Sequence, residues 1–142
     1  MQTHRLNAAL ALGLLIAFGI ACNFSASTAN ISELKLSKDK EAKTETGSFA
    51  AGDTVYAVAT ISNVPDKVKV KGRLVVEDVE GEEKGPVQAT ENTVELPNDG
   101  TATFTFSGPS SGWPKGKYKV EVVMTNEAGE QKDQKSADFT VS

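Results

Sequence analysis

Gly112-Trp113-Pro114-Lys115-Gly116-Lys117-Tyr118-Lys119-Val120-Glu121-Val122 is the stretch from which the fold can be read. From Lys117 to Thr125 the residues alternate with a period of two. Tyr118, Val120, Val122 and Met124 fall on one face, and Lys117, Lys119 and Glu121 on the other. Successive side chains of an extended chain point to opposite sides, so this pattern describes a strand with one buried and one solvated face. Downstream, Asn126-Glu127-Ala128-Gly129 has the composition of a hairpin turn. Ala137, Phe139 and Val141 then place a last strand inward. Upstream, Gly108 to Gly116 is a loop of Gly, Pro and Ser around Trp113.

The same two-residue period recurs further from that stretch. Leu34 and Leu36 alternate with charged residues and predict a first strand over 31–36, followed by a polar loop over 38–48. The segment 54–63 is apolar on both faces (Val55, Ala57, Ala59 and Ile61 against Tyr56 and Val58), which suits a central strand. From Lys67, the residues Val68, Val70, Leu74 and Val76 share one face, and Lys67, Lys69, Lys71 and Arg73 the other. An acidic turn over 77–84 follows, then one or two short strands within 87–96. Pro97-Asn98-Asp99-Gly100 is a strong turn signal, and Thr101 to Phe106 resumes alternation with Ala102, Phe104 and Phe106 inward. Seven or eight short strands separated by turns, with no amphipathic helical stretch, predict an all-β chain folded as a single antiparallel β-sandwich over 31–142.

The Gly116-Lys117-Tyr118-Lys119-Val120 segment, with the terminal Phe139-Thr140-Val141, resembles the closing hairpin of bacterial immunoglobulin-like and fibronectin-type-III-like domains. The resemblance covers Phe49 to the C-terminus and implies that Tyr118 caps the end of the sandwich. It is nearly silent on activity, because such sandwiches host many unrelated roles. The inter-sheet disulfide of antibody domains is ruled out by the single cysteine.

The N-terminal region is of another kind. Met1 to Arg5 carries one basic charge, and an apolar run continues from Leu6 to Ile20. That is the pattern of a secretory signal peptide over 1–21, somewhat short for a spanning helix of about 20 apolar residues. At its end, Phe18-Gly19-Ile20-Ala21-Cys22 resembles the bacterial lipobox, with Gly19 standing where Leu is usual. The resemblance implies a diacylglycerol thioether on Cys22, cleavage before it and acylation of the new terminus. Several acyl chains on one residue hold a protein at a membrane far more firmly than a single chain does. Residues 22–30, rich in Asn, Ser, Ala and Thr, then read as a tether. Asn23 is not the Asp that resembles an inner-membrane retention signal, so the expected address is a cell membrane or outer membrane, facing the periplasm or the cell exterior.

Processing at Cys22 also narrows the chemistry. It removes His4, the only histidine, and commits the only cysteine to lipid. A Ser-His-Asp or Cys-His nucleophile and a zinc site built on His or Cys are thereby excluded from the mature domain. The net charge of -4, which loss of Arg5 makes -5, gives no support to nucleic-acid binding. No cofactor or metal site is expected.

Three features remain as candidates for function. The basic stripe of Lys67, Lys69, Lys71 and Arg73, extended by Lys117 and Lys119 if the two strands are neighbours, reads either as a face for an anionic ligand or as a solvated face balanced by Glu77 and Glu121. Glu77, Asp78, Glu80, Glu82 and Glu83 form an acidic cluster whose spacing does not match a calcium loop. Trp113, between Pro109 and Pro114, reads either as an exposed anchor for a partner or as a lid on the core beside Tyr118. Nineteen acidic residues are present, but nothing marks a catalytic pair. The expected role is that of a membrane-anchored envelope lipoprotein with a non-catalytic binding or structural function, its partner a protein or an anionic envelope polymer. The rival is a proteinase inhibitor acting through the 108–116 loop.

Overall fold

A computed structural model describes residues 29–142. The expected signal peptide at 1–21, the expected lipidation site Cys22 and most of the segment read as a tether lie outside the described residues. Eight strands follow one another: β1 (Asn30–Ser37), β2 (Ser48–Phe49), β3 (Thr54–Ser62), β4 (Val68–Val79), β5 (Gly85–Leu96), β6 (Gly100–Ser107), β7 (Gly116–Asn126) and β8 (Gln131–Val141). They form two sheets, one of three strands in the order β1-β3-β6 and one of five in the order β2-β8-β7-β4-β5. All pairings are antiparallel except β2 with β8. The all-β sandwich expected from the alternation is the fold observed.

The core is the set of inward positions that the two-residue period marks. Val55, Ala57, Ala59 and Ile61 of β3 are at most 1% exposed, as are Val120, Val122 and Met124 of β7. β3 is the central strand of its sheet, which explains the apolar residues on both of its faces. Two bulges keep the burial consistent where the simple period fails. In β1 a register shift between Ile31 and Glu33 lets Ile31 and Leu36, of opposite parity, both enter the core. In β4 a shift between Val76 and Asp78 turns Val79 inward. A bulge adds one residue to a strand and so inverts the facing of all that follows.

Two glycines are required by close approach. Gly72 of β4 lies under the Phe104 ring of β6, and a Cβ there would stand 2.6 Å from Phe104 Cγ. Gly116 opens β7 at φ 148°, beside the β4 bulge, where a Cβ would stand 2.9 Å from Val79 Cα and closer still to Asp78 O. Its neighbour there is backbone, which cannot step aside.

The strands differ from expectation in three places. The 38–48 segment is mostly loop, but its last residue begins β2, whose Phe49 is buried against β8. β4 runs on to Val79, so the acidic turn is shorter than 77–84. Of the one or two short strands expected within 87–96, the structure has one, a 12-residue strand that starts at Gly85. Its pairing skips from Gly72↔Asn92 to Leu74↔Val87, and Thr90 Oγ1 fills the gap by accepting the Leu74 N–H (2.9 Å) and donating to Val87 O (2.5 Å). A side-chain hydroxyl thus takes over from a missing ladder bond.

Three turns are held by carboxylates. Asp53 accepts the Ala50 N–H (2.7 Å) and pairs with Lys38 (3.1 Å). Asp99 accepts the Val64 N–H (2.7 Å), and Asp39 accepts from the Ser37 hydroxyl (2.5 Å) and the Lys43 N–H (3.1 Å). These hydrogen bonds favour the ionised form and hold all three carboxyls below the ordinary aspartate value of 3.8.

Gly116→Ala is expected to destabilise the domain by about 3 kcal/mol through strain and backbone collision, lowering the Tm by roughly 12 °C. Gly72→Ala should cost about 2 kcal/mol, part of which Phe104→Leu in the same chain restores. Additive losses in the double variant would contradict the Gly72–Phe104 contact. For the aspartates, folded pKa values below the unfolded value mean stability that is full above about pH 4 and lost as pH falls through the lowered values. Acid unfolding followed by circular dichroism should therefore be shallower between about pH 4 and 2 in an Asp39→Asn, Asp53→Asn, Asp99→Asn triple variant.

Candidate functional site

β4 and β7 are neighbours, so the basic stripe and its proposed extension do share the outer face of the five-stranded sheet. The register, however, sets no lysine directly opposite another. Lys69 stands opposite Thr125, Lys71 opposite Val123, Arg73 opposite Glu121 and Lys117 opposite Asp78. β5, on the other side of β4, adds Glu91 and Glu95. Lys67 lies 3.7 Å from both Glu95 and Glu127, Lys71 lies 3.3 Å from Glu91, and Lys119 lies 3.9 Å from Glu77.

Arg73 makes the tightest of these contacts. Its Nε donates to Glu121 Oε1 at 2.9 Å and its Nη2 donates to the same oxygen. With side chains 31% and 14% exposed, this pair is shielded more than any other on the face. Among the described residues, Lys69 and Lys117 have no carboxylate within ion-pair distance. Lys69, Lys71, Arg73, Glu95 and Glu121 line an open groove of about 730 Å³ with Thr93, Val123 and Thr125. Four of the six cations are thus matched to carboxylates, and the face is of mixed charge. An incoming anion would have to displace these glutamates, while a polar uncharged chain would meet both donors and acceptors.

The β4 bulge separates the acidic cluster. Glu77 points to the outer face, where a hydrogen bond with Asp138 of β8, burial and the Asp138 charge raise its carboxyl above the ordinary range against the opposing pull of Lys119 and Lys117. Asp78 lies across from Lys117 in the ladder, and Glu80, Glu82 and Glu83 are exposed around the turn. Among the described residues, no three carboxylates converge as a cation cage would require.

Trp113 is 5% exposed and belongs to the core, which corrects the reading of it as an exposed anchor. Its indole Nε1–H donates to Asp53 O (2.7 Å) and its backbone N–H to Ala51 O (2.8 Å). The ring meets Tyr118 and Phe139 edge-on at 5.4 and 5.9 Å between centroids. Tyr118 stacks on Phe139 at 5.1 Å and donates its hydroxyl hydrogen to Pro114 O (2.6 Å), while Phe49 meets Phe139 edge-on at 5.3 Å. Tyr118 therefore caps the sandwich as the resemblance implied, with Trp113 beside it. Of the 108–116 loop, Pro109, Ser110, Ser111 and Lys115 remain exposed.

Sequence reasoning missed a second concavity. Leu74, Val76 and Val87 form an apolar slot of about 340 Å³ with Pro109, Trp113 and Tyr118, and Glu82 is the one charged residue that lines it. The slot is built from β4, β5, β7 and the 107–114 segment, which are far apart in the chain, and no local pattern announces it.

No protein-family model and no curated protein sequence matches the chain. Solved structures do. β-glucuronidase 2 from Bacteroides uniformis aligns with 79% of this chain at 14% identity and a TM-score of 0.52, the match spanning 14% of the enzyme. The PmoD soluble domain from a Methylocystis species aligns over 78% of this chain and 90% of its own length, at 16% identity and a TM-score of 0.46. A Niemann-Pick type C2 protein from the Japanese carpenter ant aligns over 80% and 92%, at 14% identity and a TM-score of 0.48. The chain spans only a small part of the glycosidase that it matches, and at these identities the likeness is one of fold. That fold is an immunoglobulin-like β-sandwich.

Proposed function

We propose that this protein is a lipid-anchored envelope protein whose sandwich domain has a non-catalytic binding or structural role. The observation that carries the anchoring half is the Ala21-Cys22 junction at the end of an apolar run, eight residues before β1 begins at Asn30. Such a spacing would hold the folded domain close to the membrane surface. Among the described residues, no helix is long and apolar enough to cross a membrane.

For the binding half, the support lies in the shape of the domain. The groove over β4, β5 and β7 is open and lies across strands, a shape suited to a chain laid along it. The charge matching on the outer sheet face favours a protein or uncharged polymer over a strongly anionic one, since each glutamate there already engages a cation. The alternative, a proteinase inhibitor acting through the 108–116 loop, would rest on the exposed Pro109, Ser110, Ser111 and Lys115, because Trp113 is buried.

Intact-mass analysis of the chain recovered from bacterial membranes tests the anchor. The expected product lacks residues 1–21 and carries thioether-linked and amide-linked acyl groups on Cys22, whereas Cys22→Ser keeps its leader and gains no lipid. A mature chain with a free Cys22 thiol would overturn the reading.

A further inference from the structure

The two flanks of the sandwich are built differently. On one, β1 leans on β8: the Ile31 N–H donates to Asp133 Oδ2 (2.8 Å), and Lys135 Nζ donates to Ile31 O (3.2 Å). The chain then crosses to the larger sheet as β2 and closes that side. On the other flank, β6 sits over β4, with the Phe104 ring on Gly72. β5 continues the larger sheet one strand beyond it. β6 is thus paired with β3 along one side and with no strand along the other. Beneath its free side, the inward residues Val87, Val94 and Leu96 of β5 are only half-buried.

Free edges are normally guarded by charge, proline, a bulge or a covering segment. β1 has a bulge, Glu33 and Lys35, and β5 has Pro86, Glu91, Glu95 and its long register gap. β6, Gly100-Thr101-Ala102-Thr103-Phe104-Thr105-Phe106-Ser107, has none of these and pairs with β3 without a break. Its free side leads at the Ser107 end into the apolar slot beside Trp113 and Val87.

We propose that the free side of β6 is a strand-addition site that takes an extended segment of a partner protein. The segment hydrogen-bonds to β6, covers Val94 and Leu96, and sets one apolar side chain into the slot. The backbone supplies affinity and the slot selects the side chain. Charge complementarity describes the segment further. β6 carries no charge and the slot only Glu82, so the matching strand is uncharged along its length with a lysine or arginine at the slot end. A second copy pairing through its own β6 is the rival occupant, and the test below tells it apart from a partner segment. The proposal identifies the partner class within the binding role above and does not depend on the lipid anchor.

The test uses the full chain in mild detergent and a labelled peptide, acetyl-Lys-Val-Thr-Val-Thr-Phe-Thr-Val-amide, read by fluorescence anisotropy and by hydrogen exchange. Saturable binding at micromolar peptide is expected, with slowed exchange of the 100–107 amides. The same peptide N-methylated at alternate residues should lose binding, since it cannot pair along one edge. Glu82→Lys, at an exposed turn position, should weaken binding by about fivefold, a change of about 1 kcal/mol, and favour the peptide with Glu in place of Lys. No binding up to about 1 mM, equal binding of the N-methylated peptide, or protection located elsewhere would overturn the proposal. So would a dimer that slows exchange at 100–107 without peptide. None of these results bears on acylation of Cys22, so failure here and failure of the anchor remain distinguishable.

Discussion

The packing around Tyr118 is the constraint on which the rest of the domain depends. Its ring stacks on Phe139 of β8, receives Trp113 on its edge, and through its hydroxyl holds Pro114 O at 2.6 Å. Trp113 in turn reaches across to Asp53 O, at the entry to β3 in the other sheet. One contiguous set of aromatic contacts therefore joins β2, β7, β8, the 108–115 loop and the turn before β3. An antibody-type sandwich ties its sheets with a disulfide, but a chain with one cysteine cannot. Here packing and the Trp113 hydrogen bond to Asp53 O link the aromatic group to the entry of β3, and burying large aromatic area is the dominant gain.

That arrangement decides what the 108–116 loop can offer. A tryptophan between two prolines is compatible with an exposed anchor and with an inward lid, and both readings satisfy local chemistry. The lid prevails because the indole finds an acceptor at its polar end and aromatic edges around its apolar body. Only the Pro109-Ser110-Ser111 tip and Lys115 are left to solvent.

Charge on the outer sheet face follows the same logic of neighbours. Read along β4 alone, Lys67, Lys69, Lys71 and Arg73 form a basic stripe. The flanking strands contribute Glu91, Glu95 and Glu121 at the same level, so that Lys67, Lys71 and Arg73 are each paired and Lys69 is not. Exposed pairs of this kind contribute little stability, and the shielded Arg73–Glu121 contact contributes more. Their larger consequence is to remove the like-charge repulsion that an uncompensated stripe would impose. The asymmetry of the two flanks has a similar origin in strand count: three strands stacked on five leave β5 only partly covered and β6 without a second neighbour.

Most of the fold was legible because its elements obey a two-residue period, and burying alternate residues is enough to define a strand and its inner face. This holds for β3, β4, β6 and β7, whereas the pairing of β4 with β7 stood as a condition until the ladder supplied it. The bulges in β1 and β4, the two-residue β2 and the unity of β5 were not legible, because each is settled by a partner strand rather than by the segment itself. Thr90 keeps β5 in place through a hydroxyl that looks like any other threonine in the chain. The sequence by itself determined the sandwich class, the inner faces of its strands and the absence of histidine and cysteine from residues 29–142. Only tertiary structure decided that Trp113 is a lid, that three of the four stripe cations are paired with glutamates and that β6 has a free edge, since each of these depends on residues brought together from distant strands.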